Sequence, residues 1–221
     1  YQSCLNGFEA PCHAVEVSGC DTCDIVVERG ALASVGEYLD LGGKTLVVTD
    51  SGVPEKYARM VLDNAEQPFL KVVPQGEASK SLESLTDLLE LMTRERFTRT
   101  DKVVAVGGGV VGDLAGLAAA TFMRGIDFYN IPTTLLSQLD SSIGGKTAID
   151  CCGVKNIIGA FHQPRKVVID PDTLDTLCER QLHSGLAEAI KMAATMDRQL
   201  FEKIAVSADL RSDIDAIICR C

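Results

Sequence analysis

The sequence predicts an α/β fold in which a parallel sheet is covered by helices on both faces. Short apolar runs rich in β-branched residues alternate with longer segments whose apolar residues recur at helical spacing. Strands that are apolar along their whole length are typical of parallel sheets with two buried faces. The chain has 221 residues and is 46% apolar, enough for a substantial core. Beyond residue 170 the pattern turns helical, so we expect one domain over residues 1–170 and the start of a helical domain over 171–221.

The elements follow in order along the chain. Strands are predicted at residues 24–28, 45–49, 69–73, 103–106, 126–131 and 167–170. Helices are predicted at residues 54–66, 82–97, 133–140, 172–177, 180–206 and 210–219, with a further helix after the glycines that follow residue 106. Pro54 suits a first helical turn, and Thr133 suits a helix cap. The stretch 141–161 is rich in Gly, Ser and Lys and resembles a hairpin.

The segment 102–124, KVVAVGGGVVGDLAGLAAATFMR, is the most informative part of the chain. A β-branched run ends at three glycines, and a helix of small residues follows with Asp113 in its first turn. The dinucleotide fingerprint G-x-G-x-x-G fits Gly107, Gly109 and Gly112. Glycines let phosphates approach the backbone, and the helix start offers unpaired N–H groups. Packing alone also explains such a turn, so a nucleotide site and a structural turn both remain open.

Composition restricts the partners. Residues 103–123 are long and apolar enough to suggest a membrane span, but Asp113 and the three glycines favour a buried α/β crossover. The net charge of −10 disfavours nucleic acid and anionic membranes, which need clustered cations. A small anionic substrate needs only a local pocket of Lys and Arg, so it remains compatible.

The nine cysteines are scattered and odd in number, which favours a reducing cytoplasm over a disulfide framework. Cys20 and Cys23 form a C-x-x-C pair near Cys4, Cys12 and His13, but a second pair is missing, so free thiols are expected rather than a zinc site. No secretory signal pattern is visible. The chain begins with Tyr rather than Met, so the natural start is expected to be removed or not included.

Polar residues concentrate after strands, at the edge where open α/β sheets bind ligands. Asp50 could accept ribose hydroxyls or act as a turn acid. Glu77 and Lys80 could hold a nucleotide or form an exposed ion pair. Thr133 and Thr134 could bind a ligand or cap a helix.

Two further groups of charges allow a functional and a structural interpretation. Lys146 and Lys155, if close to Arg124, would form an anion pocket; otherwise they are solvated surface lysines. Glu188 and Lys191 share one face of an otherwise apolar helix, so they form either an ion pair or part of a metal site.

Five segments occur in the order and spacing found in 3-dehydroquinate synthases: GGGVVGDLAGLAAATFMRGI, IPTTLLSQLDSSIGGKTAID, VKNIIGAFHQP, IDPDTL and SGLAEAIK. The chain resembles this family from about residue 24 to residue 206. The resemblance implies a Rossmann-like domain that binds NAD, a helical domain that carries much of the metal site, and a homodimer. It also implies conversion of 3-deoxy-D-arabino-heptulosonate 7-phosphate to 3-dehydroquinate and phosphate, with transient oxidation by NAD and a divalent metal, zinc or cobalt, that polarises the oxidised hydroxyl.

The resemblance also assigns roles to individual residues. The positions that it implies for NAD contact are Asp50, Glu77, Lys80, Gly108, Gly109, Asp113, Thr133, Thr134, Asp140, Lys155, Thr173 and Leu174. The positions that it implies for substrate are Arg124, Lys146, Asn156 and Lys191, whose charges suit a carboxylate and a phosphate. Glu188 is the one metal ligand that it implies.

The sequence departs from the family pattern in two places. The family usually supplies two histidine metal ligands, whereas His13, His162 and His183 are the only histidines here and none lies in a matching motif. Asp150, Cys151 and Cys152 stand where Asn and small or polar residues are common. We therefore expect the amino-terminal part of a synthase that is inactive by itself.

Three other functions remain open. A related sugar-phosphate cyclase would act on another sugar phosphate, such as sedoheptulose 7-phosphate. An iron-dependent alcohol or glycerol dehydrogenase shares the architecture but usually has a GGGS-type turn. The isolated chain could also be a catalytically inactive NAD-binding module.

Overall fold

The predicted fold class is confirmed by a six-stranded, fully parallel sheet with helices on both faces. The computed structural model describes residues 23–207 and 209–221. The strand order is β1-β8-β5-β4-β2-β3. The sheet strands are β1 Asp24–Val27, β2 Lys44–Asp50, β3 Gln67–Val73, β4 Lys102–Gly107, β5 Asp127–Pro132 and β8 Lys166–Ile169. A separate antiparallel hairpin is formed by β6 Lys146–Cys151 and β7 Val154–Phe161.

Seven α-helices lie within the described ranges. They are α1 Val35–Tyr38, α2 Glu55–Asn64, α3 Leu82–Arg94, α4 Gly109–Thr121, α5 Glu179–Met196, α6 Arg198–Val206 and α7 Ile214–Arg220. Shorter helical turns occur at Ala31–Ser34, Glu77–Ser79, Phe122–Arg124, Ser137–Ser141 and Pro171–Thr176. Among these described helices, none has both the length and the apolarity needed to cross a membrane.

The central strands are buried on both faces, as their continuous apolar runs predict. Leu46 and Val48 of β2 join the cluster under α3 and α4, whereas Val47 joins the cluster under α1 and α2. Alternate side chains of a strand point to opposite faces, so one short run fills two cores. This double burial fixes the carboxyl ends of β2 and β4 side by side, where the candidate site lies.

The carboxyl-terminal helices pack on the outer part of the same sheet. Leu182, Leu200 and Ile217 of α5, α6 and α7 share one buried cluster with Ile25 of β1 and Val167 of β8. The division into domains at residue 170 remains a prediction. The packing does show that α5, α6 and α7 bury their apolar residues against the β1 and β8 side of this sheet.

Two elements differ from the sequence-based predictions. The helix predicted over 180–206 is interrupted at Asp197, whose carboxylate accepts the Leu200 N–H at 3.1 Å and thereby starts α6. Aspartate is a strong N-cap, so a side-chain hydrogen bond competes there with helix continuation. Residues 31–38, for which no element was predicted, form a helical turn followed by α1.

Gly185 determines how closely α5 approaches the segment after β5. A Cβ at this position would lie 2.5 Å from Cβ of Leu135. Gly185→Val is therefore expected to lower the free energy of unfolding by about 1–3 kcal/mol through overpacking. Ala187→Val, on an exposed position of the same helix, is the matched control and is expected to change it by less than about 0.5 kcal/mol. Equal effects in urea unfolding would contradict this account of the packing.

Candidate functional site

A crevice opens at the point where the strand order reverses. From β2 the chain runs outward to β3, whereas from β4 it runs the other way to β5. Helices that leave adjacent strands in opposite directions leave a gap at the carboxyl edge, where open α/β sheets bind ligands. The resulting cavity has a volume of about 530 Å³. It is lined by Asp50, Gly52, Val53, Pro54, Tyr57, Gln75, Gly76, Gly108, Gly109, Val110, Thr133, Thr134, Leu136, Thr176, Leu177, Gln181 and Ser184.

The glycine turn forms one wall of this crevice. β4 ends at Gly107 and α4 begins at Gly109, so the first N–H groups of a 13-residue helix point toward the opening. A Cβ on Gly108 would lie 3.1 Å from Cγ2 of Thr134, and a Cβ on Gly109 would lie 2.9 Å from Oγ of Ser141. The Ser141 hydroxyl is buried and has no hydrogen-bond partner within the described part of the chain. The turn thus combines unpaired donors, close backbone access and an unsatisfied hydroxyl beside Gly109.

The polar residues that follow β2 and β5 also have structural contacts. The Asp50 carboxylate accepts the Gly52 N–H at 2.7 Å, which is a turn contact. The Thr134 and Ser137 hydroxyls lie 2.8 Å apart at the start of the next helical segment. Asp50 and Thr134 line the crevice and also support local turns, so the two interpretations from the sequence are compatible.

A buried charge pair lies one helical turn below the glycine turn. Lys80 Nζ is 2.6 Å from Oδ2 of Asp113, and the lysine is almost fully buried. The same ammonium donates to Oδ1 of Asn156 on β7. The hairpin also binds the lysine backbone, because the Asp150 N–H donates to the Lys80 carbonyl at 2.8 Å. Lys80 is therefore fixed by contacts from α4 and from the hairpin, not by an exposed pair with Glu77.

Burial raises the pKa of the Asp113 carboxyl, while the Lys80 hydrogen bond and charge oppose that rise. Lys80→Met is therefore expected to raise this pKa further, as measured by carboxyl ¹³C NMR. A raised pKa means that the stability contributed by Asp113 is fully present below the ordinary value of 3.8 and is lost as pH rises through the folded-state pKa. The control is Lys71→Met, whose ammonium pairs with Asp87 at 2.8 Å, and it should leave Asp113 unchanged. An unchanged Asp113 pKa in Lys80→Met would contradict the pairing.

The anion pocket expected from Arg124, Lys146 and Lys155 is only partly assembled. Lys146 pairs with Phe161 in the hairpin, and the next residue, His162, hydrogen-bonds the Ile126 carbonyl at 2.9 Å, close to Arg124. Neither Arg124 nor Lys146 forms an ion pair or hydrogen bond with any described residue. Lys155 lies near the hairpin turn, about 20 Å along β7 from that end, because each strand residue advances the chain by about 3.3 Å.

Lys155 instead contacts Glu77, with its Nζ 3.3 Å from Oε1. The register places Lys155 at the other end of the strand from Arg124, so the two do not share a pocket, and the role of Lys155 in NAD contact stays a prediction.

The predicted metal ligand Glu188 lies on α5, one helical turn after Ser184, which lines the crevice. Glu188 is largely buried on α5 and forms an ion pair with Lys191, and that pairing raises the pKa of the lysine. The charge of Asp140, in the helical turn after β5, acts on the same lysine. Within the described ranges, no group of three His, Cys, Asp or Glu residues could hold a metal ion.

The C-x-x-C motif lies only partly within the described residues. Cys23 is buried as a free thiol, and burial raises its pKa to about 11, which is unlike a metal-binding thiolate. Cys4, Cys12, His13 and Cys20 lie outside the described residues.

Thr173 and Leu174 lie behind the crevice, not on its surface. Thr173 is buried and its hydroxyl donates to the Asp170 carbonyl at 2.8 Å, while Leu174 belongs to the cluster under α5. The sequence analysis missed Gln138, whose buried amide donates to the Pro132 and Asp170 carbonyls and so ties the strand ends together. Gln138 lies inside a predicted helix, where no motif marks it as a residue that connects strand ends. Tyr57, Gln181 and Ser184 were missed for the same reason, since they reach the crevice only through packing.

These features define a doubly wound α/β protein with a nucleotide-type crevice at its topological switch point. Residues 70–184 match the family model described as 3-dehydroquinate synthase N-terminal. The chain belongs to the 3-dehydroquinate synthase family.

Individual relatives agree with this assignment. The chain is 43% identical over 210 residues to the 3-dehydroquinate synthase of Pelobacter propionicus, covering 90% of this chain and 58% of that protein. It is similar in structure to the 2-epi-5-epi-valiolone synthase of Streptomyces hygroscopicus subsp. jinggangensis with NAD⁺ and Zn²⁺ bound, with a TM-score of 0.81, 30% identity and coverage of 93% and 60%. A 2-deoxy-scyllo-inosose synthase complexed with carbaglucose-6-phosphate, NAD⁺ and Co²⁺ gives a TM-score of 0.74, 30% identity and coverage of 80% and 50%. The chain therefore spans little more than half the length of the relatives that it matches.

Proposed function

We propose that this chain forms the NAD-binding part of a 3-dehydroquinate synthase, which converts 3-deoxy-D-arabino-heptulosonate 7-phosphate to 3-dehydroquinate and phosphate. The observation that carries the proposal is the turn at Gly107, Gly108 and Gly109, which lies at the switch-point crevice inside the family-matched segment. Identity is higher to a named 3-dehydroquinate synthase than to the solved cyclases with other products.

The residues of the crevice suit NAD. Gly108 and Gly109 would hold the pyrophosphate against the start of α4, where unpaired N–H groups and the helix dipole favour negative charge. Asp50 would accept ribose hydroxyls at the end of β2. When bound, NAD supplies a reversible hydride acceptor that is regenerated in each turnover.

Lys80 and Asp113 would keep the floor of this site in one geometry. The buried pair is held from α4 and from the hairpin, so the lysine has little freedom to reorient. A fixed cation near the phosphates stabilises charge without reorganising during the reaction. Glu77 and Lys155 would close the outer side as an exposed pair.

Substrate anions would bind at the other end of the hairpin. Arg124 and Lys146 lie there as exposed cations that form no ion pair or hydrogen bond with any described residue. Arginine binds carboxylate and phosphate with paired N–H groups, and lysine acts as a point charge. Lys191 would add charge, and Asn156, which stands next to Lys155 and accepts from Lys80 Nζ, would contact the substrate from the cofactor side.

The described residues by themselves do not fit a divalent metal. Glu188 is a single carboxylate paired with Lys191, and the described ranges contain no cluster of three possible ligands. Catalytic zinc usually has three protein ligands and one open position. We therefore propose that Glu188 becomes a ligand only in a complete synthase. A homodimer in the cytoplasm is part of the same proposal.

Lys146→Ala tests the division between substrate and cofactor sites in a complete synthase that carries this sequence. We expect kcat/KM for phosphate release to fall by about 100-fold, or about 2.7 kcal/mol, because a charge-assisted contact is lost. NAD affinity measured by calorimetry should change less than about twofold. Lys203→Ala on exposed α6 is the control and should alter neither value. Loss of NAD affinity with unchanged kcat/KM would reverse the assignment.

The same assay separates the alternative functions. Phosphate release with sedoheptulose 7-phosphate but not with the heptulosonate would favour another cyclase. Net accumulation of NADH would favour a dehydrogenase.

A further inference from the structure

Two adjacent thiols lie at the tip of the β6–β7 hairpin. Cys151 ends β6 and pairs across the hairpin with Val154, so Cys152 and Gly153 are the two turn residues. Their φ angles are +53° and +77°, as a type I′ turn requires. A left-handed backbone conformation costs a residue with a side chain about 1–2 kcal/mol, and cysteine lacks the amide or carboxylate with which Asn and Asp hydrogen-bond locally and offset this cost. Asparagine would tolerate this position better, so the strained cysteine invites a functional explanation.

The two sulfurs are accessible and converge. Sγ of Cys151 lies 3.5 Å from Sγ of Cys152, and the second thiol is exposed. Two thiolates on one soft centre, at metal–sulfur bonds of about 2.3 Å, stand about 3.5–3.8 Å apart. The observed separation is therefore already that of a two-thiolate chelate.

Two more familiar uses of paired thiols fit this geometry less well. The Cα atoms of adjacent residues are about 3.8 Å apart, below the usual range of about 4.4–6.8 Å for a disulfide. A zinc site needs further ligands, and the described residues provide no group of three candidates. The geometry favours a thiol-binding atom that takes only two ligands from the protein and carries its third ligand with it.

We propose that Cys151 and Cys152 form a binding site for an organic trivalent arsenical. Two As–S bonds form and the arsenic–oxygen bonding of the arsenical oxide is broken. The two thiol protons leave with that oxygen as one water molecule, and arsenic remains trivalent. The site lies next to Asp150, which contacts Lys80, yet the binding does not depend on the NAD proposal.

The chelate should require both thiols. The hydrogen bond between the two thiols raises the pKa of Cys151, so this thiol reacts slowly with agents that need a thiolate. Because the arsenical is held by two As–S bonds, 1,2-ethanedithiol, which also offers two thiols, should remove it from the protein. An equal concentration of a monothiol should not.

The test uses the whole chain and phenylarsine oxide, with bound equivalents counted by native mass spectrometry. Cys152→Asn keeps a residue suited to the turn, so it should fold, and we expect it to bind one equivalent fewer than the parent. Cys178→Ser, which removes an exposed single thiol, is the control and should keep the parent stoichiometry. Cys20→Ser and Cys221→Ser test the other closely spaced cysteine pairs.

Peptide mapping then locates the bound arsenic. The proposal expects one phenylarsenic group on the peptide that contains residues 151 and 152, and its absence from that peptide in Cys152→Asn. Unchanged stoichiometry in Cys152→Asn, or a loss of binding only in Cys20→Ser or Cys221→Ser, would overturn it.

Discussion

Gly109→Val is expected to reduce NAD affinity by at least about 100-fold, which corresponds to about 2.7 kcal/mol. The turn brings the backbone of Gly108 and Gly109 to the wall of the crevice, where no side chain separates it from a ligand. A valine there would place methyl groups at the first N–H groups of α4, which are the expected phosphate donors. Isothermal titration calorimetry with NAD measures the change directly.

A second variant separates loss of binding from loss of structure. A Cβ at Gly109 would also lie 2.9 Å from Oγ of Ser141, so the single variant should lose stability. Gly109→Val combined with Ser141→Gly removes that internal contact and should recover much of the unfolding free energy without recovering NAD affinity. If the double variant binds NAD like the parent, the glycine turn is not the pyrophosphate site.

The 221-residue chain by itself is expected to release no phosphate from 3-deoxy-D-arabino-heptulosonate 7-phosphate, even with NAD and added zinc or cobalt. Glu188 is the only ligand of the expected metal site that its residues match, and it is paired with Lys191. One carboxylate holds a divalent ion weakly, because catalytic zinc usually has three protein ligands.

A complete synthase provides the comparison, and that of Pelobacter propionicus is a suitable one. Metal-dependent turnover of the 221-residue chain at a comparable rate would contradict the prediction and would require ligands not yet identified. The helices α5 and α6 also expose Ile190, Met196 and Val206, so we expect the isolated chain to self-associate. Light scattering over a concentration series measures this independently of activity.

The fold could be predicted from sequence where one physical signal dominated. The β2 and β4 strands were found because their central residues are buried on both faces of the sheet and form short continuous apolar runs. The break at Asp197 was missed because a single cap competes with the helical pattern that surrounds it. The helical segment over residues 31–38 was missed because it consists of two pieces of four residues, each too short to show a helical period.

The candidate site could be predicted only in part. Lys80 and Asp113 are 33 residues apart, and only the packing of the hairpin against α4 makes them a buried pair. The sequence could not decide whether Lys155 lies close to Arg124, because the hairpin register that separates them is set by pairing between β6 and β7. Tyr57, Gln181 and Ser184 come from different elements and carry no local pattern that marks them.

The sequence alone determined the α/β class, the glycine turn between β4 and α4, and the family, because these depend on local periodicity and on motifs in a fixed order. The tertiary structure decided which charges meet. It pairs Lys80 with Asp113, leaves Arg124 and Lys146 without an ion pair or hydrogen bond to any described residue, and brings the Cys151 and Cys152 thiols together in a strained turn. Contacts between distant segments depend on strand register and helix packing. Neither can be read from the residue type at a single position.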